Sequence, residues 1–264
     1  MSCPRCGGTG FEIVEKDGGE YARPCGCRRG RGDDPAGDFL ARCRIPPRYE
    51  ECSLADFSAG THSLRSALER SLRYCEGYPW LGQTEEGLGL LYFGENGVGK
   101  THLAVGVLRE LVTQKGASGQ FWDFHELVRE IKRSYDPGTR TTEVQVLEPV
   151  VQTDVLLLDD LGAWRMTDWM VDTLFYILNS RYLAKRATLV TTNFQDVDKE
   201  KASQADPLHR REYLIDRIGA RLRSRLMEMC VFIKVEGDDH RAASQASVQA
   251  VVRGTTLRGL RRDR

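Results

Sequence analysis

Residues 94 to 101, Gly94-Glu95-Asn96-Gly97-Val98-Gly99-Lys100-Thr101, match G-x-x-x-x-G-K-[ST] at every fixed position. Glycines at these places let backbone N–H groups curl around phosphates. Lys100 suits β- and γ-phosphate oxygens, and the Thr101 hydroxyl suits Mg2+. A helix beginning near Lys100 adds its positive dipole end. The candidate nucleotide-binding stretch therefore runs from Gly94 to His102. Residues 155 to 162, VLLLDDLG, read as a buried strand ending in two acids. Asp159 is the candidate Mg2+ ligand; Asp160 would orient or deprotonate an attacking water. Residues 187 to 193, ATLVTTN, read as a neighbouring strand whose Asn193 would hold that water. An Asn-initiated turn is the competing reading. In IGARLRSRLMEM, residues 218 to 229, Arg221 and Arg225 are four apart and share a helix face. The planar fork of arginine binds phosphate oxygens in pairs, although a solvated basic helix has the same spacing.

A second cluster is made of cysteine. Cys3 and Cys6 in CPRC, with Cys25 and Cys27 in PCGC, supply four thiolates for one tetrahedral Zn2+. The C-x-C spacing of the second pair is less usual than C-x-x-C, and four free thiols are the competing reading. No βαβ pattern surrounds the motif, so a redox role is disfavoured. Cys43 is a reserve ligand. Cys52, Cys75 and Cys230 stand among apolar residues and read as core cysteines.

The elements that must position these groups follow from periodicity. Apolar runs at 88–93, 119–124, 154–159, 187–192 and 229–235 read as strands. Helical patterns fill 100–114, 125–134, 143–150, 167–184 and 210–226. Short apolar runs alternating with helices predict an α/β fold with a parallel sheet covered on both faces. Residues 63 to 76 predict a further helix, with Leu64, Leu68 and Leu72 on one face. Residues 45 to 57, IPPRYEECSLADF, read as a strap on the main domain. The charged Gly- and Pro-containing run at 28–38 marks a linker. The chain is expected to divide into a zinc-binding segment (1–30), a linker (31–44), a nucleotide-binding domain (45–241) and a basic, disordered tail (242–264).

The 264 residues carry 38 basic and 38 acidic side chains, so no global charge draws the chain to nucleic acid or membrane; such contacts need a local patch. No apolar run approaches the roughly 20 residues that cross a bilayer, and MSCPRCGGTG has no signal core. A cytoplasmic location without membrane contact is expected. In a reducing compartment, clustered cysteines favour metal over disulfides.

These pieces in this order, with IPPRYEECSL before them and GDDHR after, resemble bacterial helicase loaders of the DnaC/DnaI type, which are AAA+ ATPases. IstB-type ATPases of insertion sequences are a sister group. The resemblance covers about residues 45 to 241 and rests also on GENGVGKTHLA, LLLDDLG, TTN and RLRSRL. It implies a three-layer AAA+ P-loop sandwich with a five-stranded parallel sheet, binding ATP and Mg2+. By resemblance Asn193 is sensor 1. Arg225 matches an arginine finger that reaches the ATP of a neighbouring subunit, with Arg221 assisting, and Arg241 falls near the sensor 2 position. Asp160 stands where many AAA+ proteins have Glu, and the shorter side chain suits a slow switch. The resemblance further implies self-association through the AAA+ interface, and single-stranded DNA and the replicative DNA helicase as partners. Lys132, Arg133, Arg140 and Tyr135 would contact DNA, although a solvated surface fits them equally. The zinc segment would contact helicase or DNA. Two alternatives stay open: an IstB-type transposition ATPase that selects target DNA, and a non-hydrolysing zinc-dependent DNA-binding adaptor.

Overall fold

The structure, a computed structural model, describes residues 11–16, 19–24, 40, 42–80, 87–136, 138–139, 141–196 and 212–240. The candidate zinc ligands Cys3, Cys6, Cys25 and Cys27 lie outside the described residues, as do Arg140, Arg241 and the tail.

An element unforeseen in the sequence reading comes first. Strands β1 (Phe11–Lys16) and β2 (Gly19–Pro24) pair antiparallel, with Phe11 opposite Pro24 and Lys16 opposite Gly19. The Asp17-Gly18 dipeptide between them is the sequence signal for such a hairpin.

Five further strands form one parallel sheet in the order β4-β5-β6-β3-β7. They are β3 (Gly89–Phe93), β4 (Gly119–Asp123), β5 (Val155–Asp159), β6 (Ala187–Thr192) and β7 (Cys230–Lys234). Side chains alternate between two cores, as the twofold period of a strand requires. Leu90, Tyr92, Val155, Leu157 and Leu189 face one core, shared with helices α1 (His62–Gly77) and α2 (Lys100–Lys115). Leu91, Leu156, Leu158 and Val190 face the other. That side is covered by α3 (Phe124–Arg133), α4 (Glu143–Gln152), α5 (Asp168–Leu183) and α6 (Leu214–Met229). The sheet is therefore the middle of three layers.

Helix α1 departs from the expected leucine face. It buries Leu64, Ala67, Ser71, Tyr74 and Cys75, and leaves Leu72 exposed. The reason is satisfied polar groups. The Ser71 hydroxyl meets the Tyr92 hydroxyl at 2.7 Å, and Tyr74 Oη donates to Leu88 O at 3.0 Å. Once hydrogen-bonded, such residues bury without penalty, and a count of leucines misses them.

The strap lies where expected. Phe121 N donates to Cys43 O at 2.7 Å, laying the chain along the open edge of β4, and Leu54 and Phe57 are buried beyond it. Cys43 is consequently packed in the core, and burial pushes its thiol up to about 11. Opposite, Arg181 at the end of α5 is fully buried. It donates to the carbonyls of Val150, Val151, Thr153, Asp154 and Ala187 and to the Thr188 hydroxyl. One cation thus ties the C-terminal end of α4 to the start of β6, where helix carbonyls lack intrahelical donors.

Candidate functional site

The glycine-rich loop leaves β3 and ends on Gly99, which N-caps α2 at φ 100°. A side chain is strained at that angle, and a Cβ would lie 2.8 Å from the Phe57 ring of the strap. His102, in the first turn of α2, meets Ser53 O at 2.8 Å and the Phe57 ring edge-on, so strap and loop hold each other. Val98 is buried in the core, and Lys100, also buried, donates from Nζ to Glu95 O at 2.6 Å. Asn96, Gly97 and Gly99 open on a cavity of about 490 Å3, together with Lys100, Thr101 and His102. The α2 N-terminus, the positive end of the helix dipole, faces the same space and suits an anion.

The acids meet this loop from β5. Thr101 Oγ1 donates to Asp159 Oδ1 at 2.9 Å across 58 residues of sequence. Thr191 Oγ1, from β6, donates to the same oxygen at 2.6 Å and accepts from Asp160 N at 3.0 Å. Burial raises the Asp159 carboxyl above its ordinary value. The two threonine hydroxyls oppose that shift, and Asp160 and Asp123 reinforce it. Asp160 adopts φ 58°, and its Oδ1 accepts from Asn193 Nδ2 at 2.5 Å. Threonine and carboxylate oxygens of this kind are the hard donors Mg2+ prefers. The donor set therefore fits a Mg–nucleotide, with Thr101 and Asp159 nearest the metal position.

Asp159, Asp160 and Asn193 all line the cavity. Arg221 and Arg225 do not. They flank the Phe175 ring of α5 at 3.7 and 5.8 Å, on the same helix face as expected. Tyr135 is half exposed beside Trp169, and Lys132 lies 5.5 Å from that ring, which gives the expected DNA face an extra aromatic.

Some lining residues escaped the sequence reading. Thr191 precedes Asn193 by two and was legible only as a strand residue. Arg48, Tyr49 and Cys52 come from the strap, so Cys52 is a half-buried cavity residue and not a plain core cysteine. His240 also lines the cavity, and its N–H donates to Gly97 O at 3.2 Å. Nothing in its local sequence announces that contact.

A family model described as "IstB-like ATP binding protein" matches residues 64–247, which include every cavity element except the strap. The chain belongs to this family. Among family relatives, the replicative helicase loader DnaI of Bacillus subtilis (strain 168) is 30% identical over 161 residues, covering 60% of this chain and 49% of DnaI. The replicative helicase loader DnaC of Escherichia coli (strain K12) is 24% identical over 152 residues, covering 58% of this chain and 59% of DnaC. The chain thus spans about half the length of these curated relatives. A crystal structure of the DnaC helicase loader superposes with a TM-score of 0.60 at 31% identity, covering 72% of this chain and all of that one. The five-stranded parallel α/β fold is that of AAA+ P-loop neighbours. Among the described residues, no helix is long and apolar enough to cross a membrane, and no cluster of metal-binding side chains is found.

Proposed function

We propose that this chain is an ATP-hydrolysing switch that loads the replicative DNA helicase onto single-stranded DNA, acting in the cytoplasm as an assembly of its own copies. One observation carries the reading: in a single cavity, the phosphate-loop Thr101 bonds to Asp159 while Asn193 bonds to Asp160. This joins a phosphate cradle to a metal acid, a base and a water-holding amide. The names of the DnaI and DnaC relatives direct it to helicase loading.

In this reading, the loop N–H groups and Lys100 bind the triphosphate, with Gly94 to Val98 shaping the cradle. Thr101 and Asp159 would hold Mg2+, which supplies charge neutralisation on the β- and γ-oxygens. Asp160 orients the attacking water and takes its proton, and Asn193 fixes the Asp160 carboxylate. Arg225 completes the site of a neighbouring copy, which is consistent with its distance from its own cavity. Residues 45–241 act as the AAA+ unit, followed by a basic tail from 242. Lys132, Arg133, Arg140 and Tyr135 contact DNA. The N-terminal segment binds Zn2+ through Cys3, Cys6, Cys25 and Cys27 and contacts the helicase.

The family description favours a second reading, a transposition ATPase of the IstB type that selects target DNA. The test has two arms. Lys100→Ala should lose ATP binding, whereas Asp160→Asn should bind ATP and turn over slowly. If both hydrolyse ATP at the parent rate, the site is assigned wrongly, and a parent without turnover supports the adaptor reading. In the second arm the full chain should retain the host replicative helicase from a mixture of purified proteins in a nucleotide-dependent way. No retention with ATP, ADP or neither removes the loader reading and leaves the transposition ATPase.

A further inference from the structure

Helix α6 is two helical segments joined across a kink. Gly219 breaks it at φ 80°, ψ 161°, a region essentially reserved for glycine. A Cβ there would meet no atom within 4 Å. Glycine is therefore needed for the backbone turn and not for space. The break separates residues 214–218 from 220–229.

The two halves are fastened to different places. In the first, Arg217 Nε and Nη2 donate to Gly162 O at 2.7 Å and Ala163 O at 2.9 Å, clamping the loop just beyond Asp160. In the second, Arg223 makes a two-pronged pair with Asp196 at 2.6 and 2.9 Å. Arg225 lies 4.6 Å over the Tyr182 ring and donates from Nη1 to Glu228 Oε2 at 2.6 Å. Tyr182 Oη donates to the other Glu228 oxygen at 2.5 Å. Guanidinium, carboxylate and phenol thus close a ring between α5 and α6. Only 20% of the Arg225 side chain is exposed, and its Nε is buried with no acceptor. A basic residue on a solvated helix face would be mobile and wet; this one has a single fixed direction.

We propose that Gly219 is a positioning residue for Arg225. In a continuous α-helix each residue turns by about 100°, so the direction of Arg225 would be dictated by the Arg217 clamp. The glycine break uncouples the two. Arg217 can hold the Asp160 loop of its own copy while Tyr182 and Glu228 fix the direction of Arg225. The inference rests on the reading of Arg225 as the group that completes a neighbouring site.

The test is complementation with full-length chains. Gly219→Ala drives the backbone out of the glycine region and toward a continuous helix. It should bind an ATP analogue as the parent does and lose turnover by about tenfold or more, within the range an arginine finger supplies. Mixing it with Lys100→Ala, whose Arg225 is intact, should restore activity; mixing it with Arg225→Ala should not. A second variant leaves the backbone alone: Tyr182→Phe with Glu228→Gln should show the same pattern with a loss of about three- to tenfold. It carries the test if Gly219→Ala fails to fold. Parent-like turnover in both variants while Arg225→Ala is inactive would overturn the inference, as would rescue by Arg225→Ala. Full turnover in Arg225→Ala itself would instead remove the finger reading.

Discussion

Thr191 is the residue on which the acid pair depends, and Thr191→Val isolates its hydroxyl without changing side-chain volume much. Two hydrogen bonds disappear. One goes from Thr191 to the Asp159 carboxylate at 2.6 Å; the other from the Asp160 amide to Thr191 at 3.0 Å. A hydrogen bond to a charged group contributes about 1.5–3 kcal/mol, and a buried amide left without an acceptor costs about 1–3 kcal/mol. The Asp160 loop borders an open cavity, so water recovers part of the second cost, and the net loss is about 2–4 kcal/mol. At about 2–4 °C per kcal/mol for a domain of this size, the melting temperature should fall by roughly 4–16 °C. The functional effect has a direction as well. Without the Thr191 donor, the buried Asp159 carboxyl moves further above its ordinary value, which favours protonation and weakens metal binding. Asp160 also loses the bond that orients its backbone at φ 58°. Phosphate release at saturating ATP and Mg2+ should drop by about 10- to 100-fold, at about 1.4 kcal/mol per tenfold. Thr191→Ser, which keeps the hydroxyl, should stay near the parent. A valine variant with parent turnover and an unchanged melting curve would refute the reasoning.

Arg181→Met removes the cation that ties α4 to β6 and orphans a cluster of buried carbonyls. With each buried carbonyl left unsatisfied costing about 1–3 kcal/mol, it should lower the urea midpoint by roughly 1 M or more; an unchanged midpoint by circular dichroism would count against the pin. Cys52 lines the nucleotide cavity, and Arg109 opposes the rise that burial gives its thiol, so iodoacetamide at pH 8 should label it, and Mg–ATP should protect it, as peptide mass spectrometry would show. In the same digest Cys43, Cys75 and Cys230 should stay unlabelled, because burial pushes their thiols to about 11, 12 and 12 and denies access. Protein purified without chelator should contain about one Zn2+ per chain. Cys3→Ser with Cys6→Ser should lose the metal while ATP binding persists, and metal-free parent protein would end the zinc proposal.

The parts legible in sequence were those whose chemistry is local. Gly94 to Thr101 form a phosphate cradle from eight consecutive residues, and the strand–loop–helix setting comes with them. Asp159 and Asn193 were readable because each ends a short apolar strand. The strap was readable from Pro46 and Pro47 and its scattered apolar residues, but not its contacts with Gly99 and the cavity. The α1 face departs from the leucine pattern because Ser71 and Tyr74 bury polar tips against partners 21 and 14 residues away, respectively. The β1–β2 hairpin is hard to read in sequence because its cysteine- and glycine-rich setting obscures the alternation.

The sequence by itself determined the strand and helix periods, the phosphate loop and the identity of the acids, since these depend on neighbours within one turn or one strand. The tertiary structure alone decided that Thr191 and Thr101 share one Asp159 oxygen, that His240 returns to the phosphate loop, and that α6 breaks at Gly219. The first two depend on the parallel order that sets β6 beside β5 and β7 beside β3, and the third on a backbone turn that only glycine takes readily. Hydrogen bonds across such a register join residues far apart in the chain, and no local pattern encodes which carboxylate a distant hydroxyl will reach.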